Sequence, residues 1–91
     1  MATSIIRSGI KFYYGEYLSS SVSGNSSVTL TPTDLPTTYS EVYALVPLGY
    51  TPDTSWATTF IFKGSSSTNI FGQSVGSTSQ KYNVRYLVIY R

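Results

Sequence analysis

The chain has 91 residues and a formal net charge of +2, with 41% hydrophobic residues and only 11% charged ones, against roughly 25% charged in a typical soluble domain. It contains neither Cys nor His, which removes a disulfide framework, a thiolate nucleophile, a Ser-His-Asp triad and a Cys- or His-ligated zinc. Six basic residues against four acidic ones make too weak a footprint for nucleic acid, and no apolar run approaches the ~20 residues of a membrane-spanning helix. Polarity comes instead from hydroxyls, 16 Ser and 12 Thr, while nine Tyr, four Phe and one Trp give an aromatic load that a disordered chain lacks. The length suits one domain, 1–91.

In chain order, β-favouring residues dominate and good helix formers are scarce. Residues 1–4 read as a frayed end, and Arg7 interrupts Ile5 and Ile6 too early for a secretory leader. Residues 5–14 alternate, with Ile6, Ile10, Phe12 and Tyr14 on one face and Arg7, Lys11 and Tyr13 on the other. A short strand is possible over 17–22. Ser23-Gly24-Asn25 reads as a hairpin turn, because Gly and Asn tolerate positive φ. Residues 26–31 set Val28 and Leu30 together, and Pro32 and Pro36 fix the loop that follows. Residues 41–48 are expected to turn Val42, Ala44, Val46 and Leu48 inward, and Glu41, Tyr43 and Leu45 outward. A turn with Pro52 in second place follows at 51–54.

Residues 56–63 alternate Trp56, Thr58, Phe60 and Phe62 against Ala57, Thr59, Ile61 and Lys63. The weaker segment 68–75 points either Ile70 or Phe71 inward. The clearest strand is 81–90, where Tyr82, Val84, Tyr86, Val88 and Tyr90 share a face opposite Lys81, Asn83, Arg85, Leu87 and Ile89. Its second face turns apolar halfway, so this strand is central in its sheet or meets another subunit. Short strands at such spacing, with polar loops at 63–67 and 76–79, predict an all-β fold, a small antiparallel sandwich of about six strands.

The four carboxylates, Glu16, Asp34, Glu41 and Asp53, lie in no catalytic motif, and Asp34 and Asp53 read as turn formers capping their own backbone. The expectation is a non-enzymatic domain without metal or cofactor. Tyr50, Asp53, Ser55 and Trp56 are candidates for sugar binding, since aromatic rings stack on the apolar face of a sugar while short polar groups bond its hydroxyls. The same cluster also reads as a plain turn in which Trp56 plugs the end of the sandwich. Asn69 joins the candidates from the 65–69 loop, whose hydroxyl and amide composition resembles that of adaptable binding loops, although solvated connections share it. Tyr43, Leu45, Leu87 and Ile89, if outward, would be awkward in water and form a candidate oligomer interface. The alternative is that they pack within the two-sheet core.

An opening strand with Arg7-Ser8-Gly9, a Val28-Thr29-Leu30 strand entering a Pro/Asp loop, the run from Glu41 to Val46 and the closing alternation from Tyr82 to Tyr90 follow one another in an order that resembles the small β-sandwich tip domains of bacteriophage tail fibres and baseplate receptor-binding proteins, including those similar to H-type lectins. The resemblance covers nearly the whole chain as a strand pattern. It implies a six-stranded sandwich assembled as a homotrimer, with sugar sites in loops near subunit boundaries. Where H-type lectins commonly carry an aromatic residue, often Trp, near the middle of the last strand, Tyr86 stands here. No sugar-contacting position of theirs is carried over to this chain. The expected function is recognition of host surface glycans by a phage tail-fibre or baseplate tip domain on the virion. The alternative is a structural virion protein, such as a capsid decoration or head-fibre protein, that binds other viral proteins and no sugar. A secreted lectin-like adhesion module is a third, less favoured class.

Overall fold

The computed structural model describes residues 9–53 and 58–91. These residues form an all-β structure of six strands, β1 (Lys11–Leu18), β2 (Ser27–Leu30), β3 (Val42–Pro52), β4 (Thr59–Ser65), β5 (Ile70–Val75) and β6 (Tyr82–Tyr90). They make two antiparallel three-stranded sheets, ordered β1-β6-β3 and β2-β5-β4. The all-β expectation holds, and β6 is the central strand that its two apolar faces anticipated.

The alternation of β6 organises the core. Tyr82, Val84, Tyr86 and Val88 are buried almost completely. From the second sheet Leu30, Phe60 and Ile70 join them, which settles the choice between Ile70 and Phe71 in favour of Ile70. Side chains of the two sheets meet directly. The Phe60 and Tyr82 ring centroids lie 4.9 Å apart and those of Tyr50 and Phe62 6.1 Å apart in an edge-on arrangement, the tilted geometries that aromatic quadrupoles prefer. The hydroxyls of Ser74 on β5 and Tyr82 on β6 share a buried hydrogen bond of 2.6 Å, so neither polar tip is left unsatisfied in the core.

Two glycines make room for the largest rings. A Cβ at Gly15 would run into the Tyr86 ring, and one at Gly72 into the Phe60 ring. Each ring therefore lies flat over the backbone of the neighbouring strand, a close approach that only glycine allows.

Of the strand expected over 5–14, residues 5–8 lie outside the described residues; β1 is formed by Lys11–Leu18, so a separate strand at 17–22 does not form, and Val22 makes an isolated bridge to Gln80. The more apolar face of β1 is the one turned away from the core: Phe12 and Tyr14 are 66% and 55% exposed, while Tyr13 and Tyr17 pack on the core cluster. The 23–26 turn exists, with Asn25 at φ 52° and Ser26 donating to the Ser23 carbonyl at 2.6 Å. It is not a hairpin, however, because the segments on either side pair with different partners, Val22 with Gln80 and β2 with β5. Of the expected turn at 51–54, Thr51 and Pro52 belong instead to β3, and Thr54 lies outside the described residues.

Facing along β3 is the main correction. Its register against β6 slips between Val42 and Ala44 and again between Pro47 and Gly49, which marks Tyr43 and Leu48 as bulge residues. An extra residue reverses the in-out alternation beyond it. Leu45 therefore points into the core and is 3% exposed, whereas Val46 and Leu48, expected inside, are 37% and 52% exposed.

Candidate interaction face

The outer face of the β1-β6-β3 sheet is built row by row from the strand register. Phe12 lies opposite Ile89, which lies opposite Ala44; Tyr14 lies opposite Leu87, which lies opposite Val46. These two rows carry no charge. The next row sets Glu16 opposite Arg85 and Arg85 opposite Gly49, and the last sets Leu18, Asn83 and Thr51 side by side. Leu48, looped out at the bulge, extends the apolar surface along the β3 edge. Phe12, Tyr14, Leu18, Val46 and Leu48 are all exposed, and Leu87 and Ile89 are half-buried. At the exposures given above, Phe12 and Tyr14 alone leave on the order of 200 Å² of ring surface open. The neighbouring side chains of Val46, Leu48, Leu87 and Ile89 extend this apolar surface.

The four interface candidates thus divide. Leu87 and Ile89 lie on this face. Leu45 does not, because the bulge at Tyr43 turns it inward. Tyr43 is the bulge residue itself and belongs to neither regular row. Phe12, Tyr14, Val46 and Leu48 were missed as interface residues. The alternation of 5–14 already placed Phe12 and Tyr14 on one face, but alternation alone does not say which face turns outward. The signal available was the opposite face, where Tyr13, Gly15 and Tyr17 combine large rings with a glycine.

The sugar candidates are not brought together. Tyr50 lies between rings of the core, 6.0 Å from Phe60 and 6.1 Å from Phe62, so its faces are committed to packing. Asp53 is exposed just beyond β3, with its backbone N–H bonded to the Lys81 carbonyl at 2.9 Å. Ser55 and Trp56 lie outside the described residues. Asn69 is at the other end of β3, because Ser65 in the same loop donates to the Leu45 carbonyl at 2.6 Å. Leu45 and Asp53 are eight residues apart along an extended strand, roughly 25 Å. Asn69 also has local work: its carbonyl accepts from Ser66 N–H at 2.9 Å, its own N–H donates to Ser66 Oγ at 3.1 Å, and Thr31 Oγ1 donates to its Oδ1 at 2.6 Å. A groove of about 420 Å³ runs between residues 42–47 of β3 and Ser65, Ser66 and Ser67, and the Ser65 and Ser66 hydroxyls facing it are held by these same loop bonds.

Among the carboxylates, Asp34 keeps the bond to its own backbone expected of a turn former and has distant partners that the sequence did not show. It reaches from its loop to the first sheet, where Tyr13 donates to Oδ2 at 2.8 Å and Tyr86 donates to Oδ1. The hydrogen bond from Tyr86, and after it that from Tyr13, holds the Asp34 carboxyl below the ordinary aspartate range against the opposing effect of desolvation. Burial first, then the bond to Asp34, pushes the Tyr86 phenol up, and the bond to Asp34 raises Tyr13 likewise. The group acts as a clasp that closes the 32–36 loop, with half-buried Leu35, over the core. Glu41 faces Arg91 at 4.0 Å, where the end of the chain is also tied by reciprocal backbone bonds between the two residues. Glu16 lies on the outer face. Among the described residues no three acidic side chains gather into a cation site, and no helix is long and apolar enough to cross a membrane.

Compared with protein-family models, with curated proteins and with solved structures, the chain matches none.

Proposed function

We propose that this chain is a non-enzymatic structural module of a phage virion, a β-sandwich that works by packing against other protein surfaces in the particle, first of all copies of itself in a homotrimer. The observation that carries this reading is the outer face of the β1-β6-β3 sheet, with two consecutive uncharged rows, Phe12-Ile89-Ala44 and Tyr14-Leu87-Val46. Such a surface gains free energy when covered, at roughly 25 cal/mol per Å² of apolar area, and a closed symmetric assembly covers it without leaving a new edge. The sandwich arrangement is supported by the Phe60–Tyr82 and Tyr50–Phe62 ring contacts and the Ser74–Tyr82 bond that join the sheets. A thin core of this size also benefits from oligomerisation.

The virion setting rests on the resemblance in strand order. Within it, the structural role is better supported than recognition of host glycans, because Tyr50 is packed among core rings and Asn69 is engaged in its loop far from Asp53. The test is the solution mass of the purified protein, measured alongside a glycan array. An oligomer that binds no sugar supports the structural role, an oligomer that binds a defined sugar returns the domain to the receptor-tip class, and a monomer contradicts the assembly reading.

A further inference from the structure

The third row of the outer face holds an unused opportunity. Glu16 and Arg85 are register partners on adjacent strands, where opposite charges ordinarily reach for one another. Here they do not. Arg85 leans the other way, over Gly49, giving Nη1 to Thr51 Oγ1 at 3.0 Å and Nη2 to the Tyr50 carbonyl at 3.4 Å. Glu16 accepts only a long bond of 3.4 Å from Tyr14 among the described residues, and the ion pair formed among them is Arg91–Glu41. A guanidinium has five N–H donors, so Arg85 keeps donors to spare beside a carboxylate that has acceptors to spare. Both border the two uncharged rows.

We infer that Glu16 of each copy pairs with Arg85 of the next copy, and that this contact fixes how the copies meet. The inference rests on the self-assembly proposed above and adds the partner's contact and its register. The occupant follows from charge. The four rows from Phe12 to Leu18 carry one acid and one base, both in a single row, so this part of the face is neutral and complementary to itself, whereas a foreign surface would have to supply an opposed pair at the same spacing. Symmetry supports the match. Rotation about an axis parallel to the strands, two-fold or three-fold, keeps every row at its own level. Apolar rows then meet apolar rows, Tyr14 and Phe12 of β1 come against Leu87 and Ile89 of a neighbour's β6, and Glu16 comes against Arg85. A copy slipped along the strands by two residues would set a charge on an apolar row without a counter-ion, a costly arrangement. The pair therefore selects one register and one orientation.

The experiment uses the whole chain and charge reversal. Glu16→Arg and Arg85→Glu are each expected to weaken association by roughly tenfold or more, while each folded monomer keeps its circular dichroism spectrum. Mixing the two variants in equal amounts restores association, because the opposite charges then meet between chains. If reversal at Arg85 disturbs the fold, the neutral pair Glu16→Gln and Arg85→Gln replaces it: the double variant should associate no more weakly than either single one. A wild-type protein that is monomeric overturns the assembly reading and this inference together. A wild-type oligomer whose dissociation constant is unchanged by both reversals, or whose neutral variants are simply additive, overturns the inference alone.

Discussion

Asp34 shows how much of this fold hangs on single polar contacts. Its carboxylate receives hydroxyls from residues 21 and 52 positions away, which no local pattern in the chain announces; a Pro-flanked Asp reads as a turn former because only its near neighbours are visible in sequence. Removing the phenol in Tyr86→Phe takes away a charge-assisted bond at the core boundary. It should cost about 1 kcal/mol, the low end for such bonds because the carboxylate is open to water on its other side, measured as a fall in the urea midpoint. The pH dependence has a definite sign. Since the folded Asp34 carboxyl sits below its ordinary value, its contribution is complete above an unfolded pKa near ~3.9 and is lost as the pH falls through the lower folded value. Asp34→Asn should therefore flatten the acid limb of the stability curve. The two phenols act at the opposite end: raised when folded, they contribute fully below pH ~10 and lose that contribution as the pH rises beyond it.

At the scale of elements, β6 was legible almost to the residue because ten residues of strict alternation have one reading. β3 was legible as a strand but not in its facing. Each bulge inserts one residue, and nothing in the run from Val42 to Tyr50 marks Tyr43 or Leu48 as the extra one. The assignment can be checked by paired substitutions. Leu45→Ala should cost about 2–4 kcal/mol as a core cavity, whereas Val46→Thr should leave the stability of the single chain within about 0.5 kcal/mol; the reverse ranking in urea melts would restore the unbulged register. Glycines divide in the same way. Gly15→Ala forces a methyl into the Tyr86 ring and should destabilise by about 1–3 kcal/mol, while Gly64, with open space around its Cβ position, should accept Ala with no loss. The sequence pattern put Gly64 in a polar loop and Gly15 just past a strand, and neither reading reveals the Tyr86 ring, which arrives at Gly15 from another strand.

For the whole molecule, composition carried the fold class further than it carried the site. Hydroxyls and aromatics in place of charge indicated a β-rich domain, and Leu87 and Ile89 were recognisable as outward apolar positions on a central strand. Phe12 and Tyr14 join them only once β1 is paired with β6, since an apolar face in isolation is indistinguishable from a core face. The dispersal of Tyr50, Asp53 and Asn69 is equally a property of the assembled sheets: sequence proximity linked the first two, and loop chemistry added the third, which sits at the far end of β3. At this scale the proposed self-association rests on the outer face of the β1-β6-β3 sheet, where Phe12, Tyr14, Val46 and Leu48 are exposed.

The mass of the protein in solution, followed by light scattering across a range of concentrations for the wild type and for Leu87→Glu, tests that claim most directly. The homotrimer should give about three times the 10.0 kDa chain mass for the wild type, and the variant should be a folded single chain. A wild type that stays at the mass of one chain at the highest concentration, with Leu87→Glu indistinguishable from it, would contradict the account.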